Sequence, residues 1–332
     1  MRREDFKQIL SGCFKKSKVR SQKSEVRNKK AKSECCFATD FFNSICRMSG
    51  SIILTFAFFL LTFCSLSFAR PDVIQIKGSD TMVNLGQAWA EEFMAKHPEV
   101  SIAVTGGGSG TGIAALINGT TTIAQSSRDM KAEEIAAVEK ARGKPVKEIK
   151  AALDALAVIT NPANPVSELS IDQLSGIFTG KIANWKELGG ADEALLVLSR
   201  ERNSGTHVYF LEEVVRKGNA RGPEEFAPSV LMMPSSQAIA QEVARSRAAI
   251  GYLGLGYVTK DHKAIAVKRT AQDPAVVPSV ETGQNGTYPI SRALHLYTAG
   301  EPEGPVKEFV DFVLSPEGQE IVAAMDFVPL KN

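Results

Sequence analysis

Gly106-Gly107-Gly108-Ser109-Gly110-Thr111-Gly112 is the stretch whose reading decides the fold. It follows an apolar, strand-like run at 100–105 and leads into a short helix-like run at 111–118. Two other turns repeat the design. Gly78-Ser79-Asp80-Thr81 follows a strand-like run at 73–76, and Ser204-Gly205-Thr206 follows one at 195–199, preceded by Arg200. Glycine in ordered structure costs about 0.5–1 kcal/mol in conformational entropy, so a run this rich in it calls for compensation, such as close backbone approach to a ligand. Bare N–H groups and small hydroxyls at the start of a helix hold small oxyanions. The run is not a Walker loop, because no Lys follows its last glycine, and it departs from both G-x-G-x-x-G and G-x-S-x-G.

Working outward, strand-like and helix-like runs alternate, which implies parallel β-α-β units with ligands at the carboxyl ends of the strands. A helix over 82–96 places Leu85, Trp89 and Phe93 on one face. A strand at 121–125 and a helix at 131–142 complete a first lobe. The apolar run 151–160, leading to Asn161-Pro162-Ala163-Asn164-Pro165, reads as a crossing into a second lobe. That lobe has strands at 195–199 and 249–253 and helices at 206–217 and 235–247. Gly251, Gly254, Gly256 and a strand at 264–268 read as the return crossing, and helices at 306–314 and 317–325 pack back on the first lobe. The expectation is an α/β protein of two lobes, each a mainly parallel sheet flanked by helices, joined by two hinge crossings. Lobe 1 is expected at 72–154 plus 264–332, and lobe 2 at 155–263.

The overall charge of +2 hides an asymmetry. Residues 1–69 hold 13 Lys/Arg against 5 Asp/Glu, whereas 70–332 hold 26 against 32. The acidic body argues against nucleic acid as a partner. It also means that an anion must be captured by local dipoles and selected cations rather than by a global field. The apolar run 52–64, ending before Ser67-Phe68-Ala69, reads as the core of a signal peptide at 48–69, cut after Ala69. Residues 1–47 are basic, polar and disordered in character, with Met48 as an alternative start. All five cysteines (Cys13, Cys35, Cys36, Cys46, Cys64) precede the expected cut. The mature chain is therefore expected to have no disulfide, cysteine–metal site or catalytic thiol.

The candidate anion contacts come from four places. Ser79, Asp80 and Thr81 lie in the first turn, and Ser109, Gly110 and Thr111 in the second. Ser127 and Arg128 close the third strand, and Arg200, Ser204, Gly205 and Thr206 form the turn of the second lobe. Asp80 serves either as a helix N-cap or as a ligand contact. Arg128 either pairs with Asp129 or Glu133 or meets the anion. Arg200 offers a bidentate fork, and Arg202 is read as solvated. None of His97, His207, His262 and His295 is spaced as a metal pair. His207 reads as a helix-surface residue, and no carboxylate pair has a diagnostic spacing. No metal, cofactor or enzymatic activity is expected.

Taken in order, Gly-Ser-Asp-Thr-Met, Gly-Gly-Gly-Ser-Gly-Thr-Gly-Ile, Ser-Ser-Arg, Arg-x-x-x-Ser-Gly-Thr and Ile250-Gly251-Tyr252 resemble the phosphate-binding proteins of bacterial phosphate ABC transporters. The tail fits too, through Pro289-Ile290-Ser291-Arg292, the run 309–318 and Phe327-Val328-Pro329-Leu330. The resemblance covers about residues 72–330. It implies a two-lobed type II periplasmic-binding-protein fold, a monomer that traps inorganic phosphate and delivers it to a membrane permease, with the twelve candidate residues as its contacts. Some relatives place at the position of Arg128 an Asp that accepts the phosphate's own proton. Here Asp80, the only acidic residue inside the turns, is the candidate for that role, because an acceptor favours protonated phosphate over sulfate. Other readings are a binding protein for molybdate, tungstate or sulfate, an extracytoplasmic enzyme acting on phosphate esters, and a sensory or adhesive module.

Overall fold

The computed structural model describes residues 72–331. The expected signal peptide with its cut after Ala69, the segment 1–47 and all five cysteines lie outside the described residues.

The chain opens with β1 (Asp72–Gly78), which runs parallel to β2 (Val100–Thr105) on one side and to β3 (Ile123–Ser126) on the other. The helices α1 (Val83–Lys96), α2 (Ser109–Asn118) and α3 (Ala132–Arg142) follow these strands in turn. Leu85, Trp89 and Phe93 are the buried face of α1, as the periodicity implies. Gly119 and Gly143 end α2 and α3 in the left-handed region, which glycine enters without steric cost.

β4 (Val146–Thr160) is the strand that makes two lobes of one sheet. Residues 146–155 pair with β11 (Ser291–Ala299), and 156–160 pair with β8 (Ala249–Gly254). The second lobe holds β5 (Glu168–Ser170), α4 (Ile171–Phe178), β6 (Leu196–Arg200), α5 (Gly205–Phe210), β7 (Leu231–Met233) and α6 (Ser236–Arg245). β6 runs parallel to both β7 and β8. After β8 come β9 (Lys263–Ala264), β10 (Ala266–Lys268) and α7 (Val280–Gln284). The full order is β2-β1-β3-β11-β4-β8-β6-β7, with β9 on β4. Among the described residues every antiparallel strand pair involves β4 or β11, so the lobes are parallel away from the hinge and antiparallel within it.

The return crossing lies later than its sequence expectation. β10 pairs with β5, and Tyr288 and Ile290 pack in the core of the second lobe. Residues 264–290 therefore stay with that lobe, and the chain re-enters the first at β11. Periodicity marks 264–268 as a strand but carries no information on its partner.

The tail returns as expected. α8 (Gly304–Leu314) and α9 (Pro316–Ala324) place Phe309, Val313 and Val322 in a cluster with Trp89 and Phe93. Trp89 Nε1 donates to Gly318 O at 2.8 Å, tying α9 to α1. The second core is built on Phe178, Trp185, Phe210 and Tyr252, with Phe210 stacked on Tyr252 at 3.8 Å. Among the described residues no helix is long and apolar enough to cross a membrane.

His207 is the clearest correction in this half. It is 5% exposed rather than on a helix surface, because α5 turns that face onto the aromatic core. Its ring packs on Phe226 at 4.6 Å, and Nδ1 lies 3.2 Å from Ser199 Oγ, which is 2.6 Å from Tyr252 Oη. The Ser199–His207 contact is sealed in the lobe and offers no exposed nucleophile. Burial pushes the imidazole down to about 4. The unfolded chain then binds the proton more readily than the folded one. This contribution to stability is present above pH 6.5, is lost progressively as pH falls, and is gone below pH 4. Denaturant titrations at pH 7, 5.5 and 4 should show His207→Gln losing less stability on acidification than the parent chain, by about 2–3 kcal/mol over the window. Parallel acid limbs would show that His207 does not carry the effect.

Candidate anion site between the lobes

The first turn is fixed by its neighbours. Gly78 has φ +146, and a Cβ there would lie 2.1 Å from Gln125 O, so only glycine fits. Ser79 N–H donates to Gln125 O at 2.8 Å, and Gln125 Nε2 returns a bond to Ser79 O at 3.0 Å. The second turn is stitched to the first by Gly108 N–H donating to Gly78 O at 2.9 Å. Helix α2 begins at Ser109, two residues earlier than its apolar pattern shows, so Ser109 and Gly110 belong to its first turn.

These constraints, with α5 from the second lobe, bring five hydroxyls to one point. Ser79 Oγ donates to Ser127 Oγ at 2.9 Å. Ser109 Oγ lies 3.4 Å from Ser127 Oγ and accepts its backbone N–H at 3.1 Å. Across the cleft, Thr206 Oγ1 lies 2.8 Å from Thr81 Oγ1 and 3.4 Å from Ser127 Oγ. All five side chains are buried. Gly205 is where the lobes touch: a Cβ on it would lie 2.3 Å from Ser109 Oγ and 2.9 Å from Ser127 Oγ.

Two arginines flank the hydroxyls, each matched by an aspartate. Arg200 Nη2 donates to Asp80 Oδ2 at 2.6 Å and to Pro234 O at 2.9 Å, while Nη1 donates to Ser236 Oγ at 3.1 Å. Asp80 Oδ1 accepts Gly107 N–H at 3.0 Å. Asp80 thus bridges the first turn, the second turn and the second lobe, and it does not cap its own helix. Arg292, outside the twelve expected contacts, lies beneath the hydroxyls. It donates to Asp154 Oδ2 from Nε at 3.1 Å and from Nη2 at 2.8 Å. It also donates to Thr206 Oγ1 at 3.0 Å and to Ser127 O at 3.0 Å. The signal was present in the sequence. Asp154 is the one charged residue of the apolar run 151–160 and Arg292 the one arginine of β11, and two buried opposite charges in one sheet must find each other.

The other expected contacts have different neighbours. Ser204 caps α5 through His207 N–H. Gly110 N–H donates to Asn203 O at 2.9 Å, and Asn203 Nδ2 donates to Gly107 O at 2.8 Å and Thr111 Oγ1 at 3.3 Å. Gly110 and Thr111 therefore form a latch between the lobes. Arg128 turns away and forks onto Glu134 at 2.7 and 2.8 Å. Burial pushes the Glu134 carboxyl up, but the Arg128 and backbone bonds outweigh it and hold the group below its ordinary range. Arg128 lines an inter-lobe cavity of about 400 Å³ beside the hydroxyls, with Lys131, Tyr209, Glu213 and Arg292. Arg202 is exposed.

The hydroxyls, the start of α2 and the Arg292 guanidinium thus meet in one place, with Arg200 held on Asp80 of the first turn and both guanidinium charges already balanced. Comparison with known proteins agrees with this chemistry. The family model described as a PBP superfamily domain matches residues 67–317. The phosphate-binding protein PstS of Pseudomonas aeruginosa is 34% identical over 269 residues, covering 76% of this chain and 81% of its own. The Bacillus subtilis protein of that name is 35% identical, with 78% and 81% covered. A Clostridium perfringens structure, described as a phosphate ABC transporter substrate-binding protein with bound phosphate, aligns at TM-score 0.69 and 35% identity, over 78% of this chain and 100% of that one. A Vibrio cholerae phosphate transport receptor aligns at TM-score 0.61 and 30% identity, over 77% and 100%. The chain belongs to the PBP superfamily of two-lobed binding proteins and, within it, to the PstS family.

Proposed function

We propose that this protein captures inorganic phosphate between its two lobes and hands it to the permease of an ABC transporter. The observation that carries the reading is the convergence of Ser79, Thr81, Ser109, Ser127 and Thr206 from both lobes on one buried point against Arg292, with Arg200 reaching the first turn through Asp80. Each hydroxyl donates one hydrogen bond and also accepts, which suits an anion with three or four oxygens and a proton of its own. The relatives named for phosphate binding support the choice of anion. In this reading Gly205 and Ser204 bring Thr206 into place, and Gly110 and Thr111 hold the lobes together through Asn203. Arg128 borders the site. The protein is a binding protein rather than an enzyme, as its relatives are. It acts outside the cytoplasm as a monomer, exported by a signal peptide at 48–69 cut after Ala69.

Asp80 retains the role of proton acceptor in this proposal. Arg200 and Gly107 occupy two of the roughly four lone-pair sites of its carboxylate, and a P–OH takes another. Sulfate has no proton to offer and is repelled. Titration calorimetry should show a single phosphate site, with sulfate and molybdate at least tenfold weaker. Equal or tighter binding of either overturns the assignment to phosphate. Asp80→Asn should narrow the preference for phosphate over sulfate by tenfold or more, and unchanged selectivity removes Asp80 from the acceptor role.

Closure rests on Gly205. A methyl at Gly205→Ala meets Ser109 and Ser127 from the facing lobe, so this variant should fold with normal stability yet bind phosphate at least tenfold more weakly. Small-angle scattering should show no compaction on adding phosphate. A variant that binds and compacts like the parent would show that the lobes do not meet there during capture.

A further inference from the structure

β11 breaks register between Leu294 and His295, and the His295 ring faces Asp129 and Glu148. Its side chain is only 5% exposed. Nε2 lies 3.1 Å from Asp129 Oδ1, and Nδ1 lies 2.9 Å from Glu148 Oε1. Neither nitrogen has a hydrogen-bond partner in acceptable geometry. A neutral imidazole has one N–H and one bare nitrogen, so at least one contact sets a ring lone pair against a carboxylate lone pair. A cation on one ring nitrogen removes the conflict there and leaves the other nitrogen to carry the N–H. A bridging proton needs the oxygen in line with the N–H, which this geometry does not give. A metal ion takes one ring lone pair, and the two carboxylates, 89% and 53% exposed, have room to turn towards it.

One donor atom from each of the three residues falls within 4.8 Å of the others. We propose that Asp129, Glu148 and His295 form a divalent-metal site at the flank of the anion cleft. One imidazole nitrogen with two carboxylate oxygens suits Zn²⁺ or Mn²⁺, and the exposed carboxylates leave room for water as a further ligand. Asp129 comes two residues after Ser127, and the next residue, Met130, donates its N–H to Tyr297 Oη at 3.1 Å. An ion here ties the segment carrying Ser127 to β4 and β11.

The test is calorimetric titration of the whole protein with zinc chloride in phosphate-free buffer. One equivalent of Zn²⁺ is expected, with Mn²⁺ weaker, following the usual affinity order, and Mg²⁺ silent. Glu148→Gln should weaken zinc at least tenfold, and His295→Gln should abolish it. Retained phosphate binding by the variants shows that the fold is intact. If His295→Gln does not fold, the exposed Glu148→Gln decides alone. No zinc binding by the parent chain, or undiminished binding by Glu148→Gln, overturns the site.

Discussion

The ion pair between Arg292 and Asp154 is the constraint on which the rest of the structure depends. Its two Cα positions are register partners on β11 and β4, at the point where both strands pass between lobes. Both side chains are almost wholly buried, at 3% and 0% exposure. Such a pair is tolerated only when its remaining donors and lone pairs are also satisfied. Ser127 O, Thr81 Oγ1 and Thr206 Oγ1 accept from the guanidinium, and Leu255 N–H donates to the carboxylate. Three of these partners belong to the walls of the cleft. The hinge and the cleft are therefore one hydrogen-bonded unit, and moving a lobe re-partners Arg292.

The same accounting explains how an acidic body attracts an anion. Arg200 is matched by Asp80 and Arg292 by Asp154, so the formal charge of the four groups is zero. Attraction falls to oriented dipoles: hydroxyls, backbone N–H groups and the start of α2. A fully positive pocket would bind oxyanions indiscriminately and would repel itself when empty of counter-charge. A neutral one discriminates by the number and direction of its donors, because every unmet lone pair on a desolvated anion costs free energy.

Much of this was legible in the sequence, for a physical reason. Gly78, Gly107 and Gly108 take positive φ, so the turns announce themselves through residues that only such backbones require. The strand–turn–helix order then follows from local periodicity. What escaped depends on pairing at a distance. Strand 264–268 is visible in the sequence but its partner β5 is not, so the expected return crossing falls too early. The acid that Arg128 meets is Glu134, one helical residue beyond Glu133. Arg292 is conspicuous only when matched with Asp154, more than a hundred residues earlier. His207 is buried although α5 is too short for its periodicity to show which face it buries.

The close approach of the lobes also limits what the cleft admits. A Cβ at Gly108 would lie 2.7 Å from Asn203 O, and one at Gly205 would lie 2.3 Å from Ser109 Oγ. Backbone meets backbone on the side of the second turn, where Gly110 N–H is already bonded to Asn203 O. A substituent on one oxygen of a phosphate has no room there. At the proposed site a tetrahedral anion must part hydroxyls that lie 2.8–3.4 Å apart, and a substituent on one of its oxygens adds bulk at a seam where a single Cβ already collides, which weighs against phosphate esters.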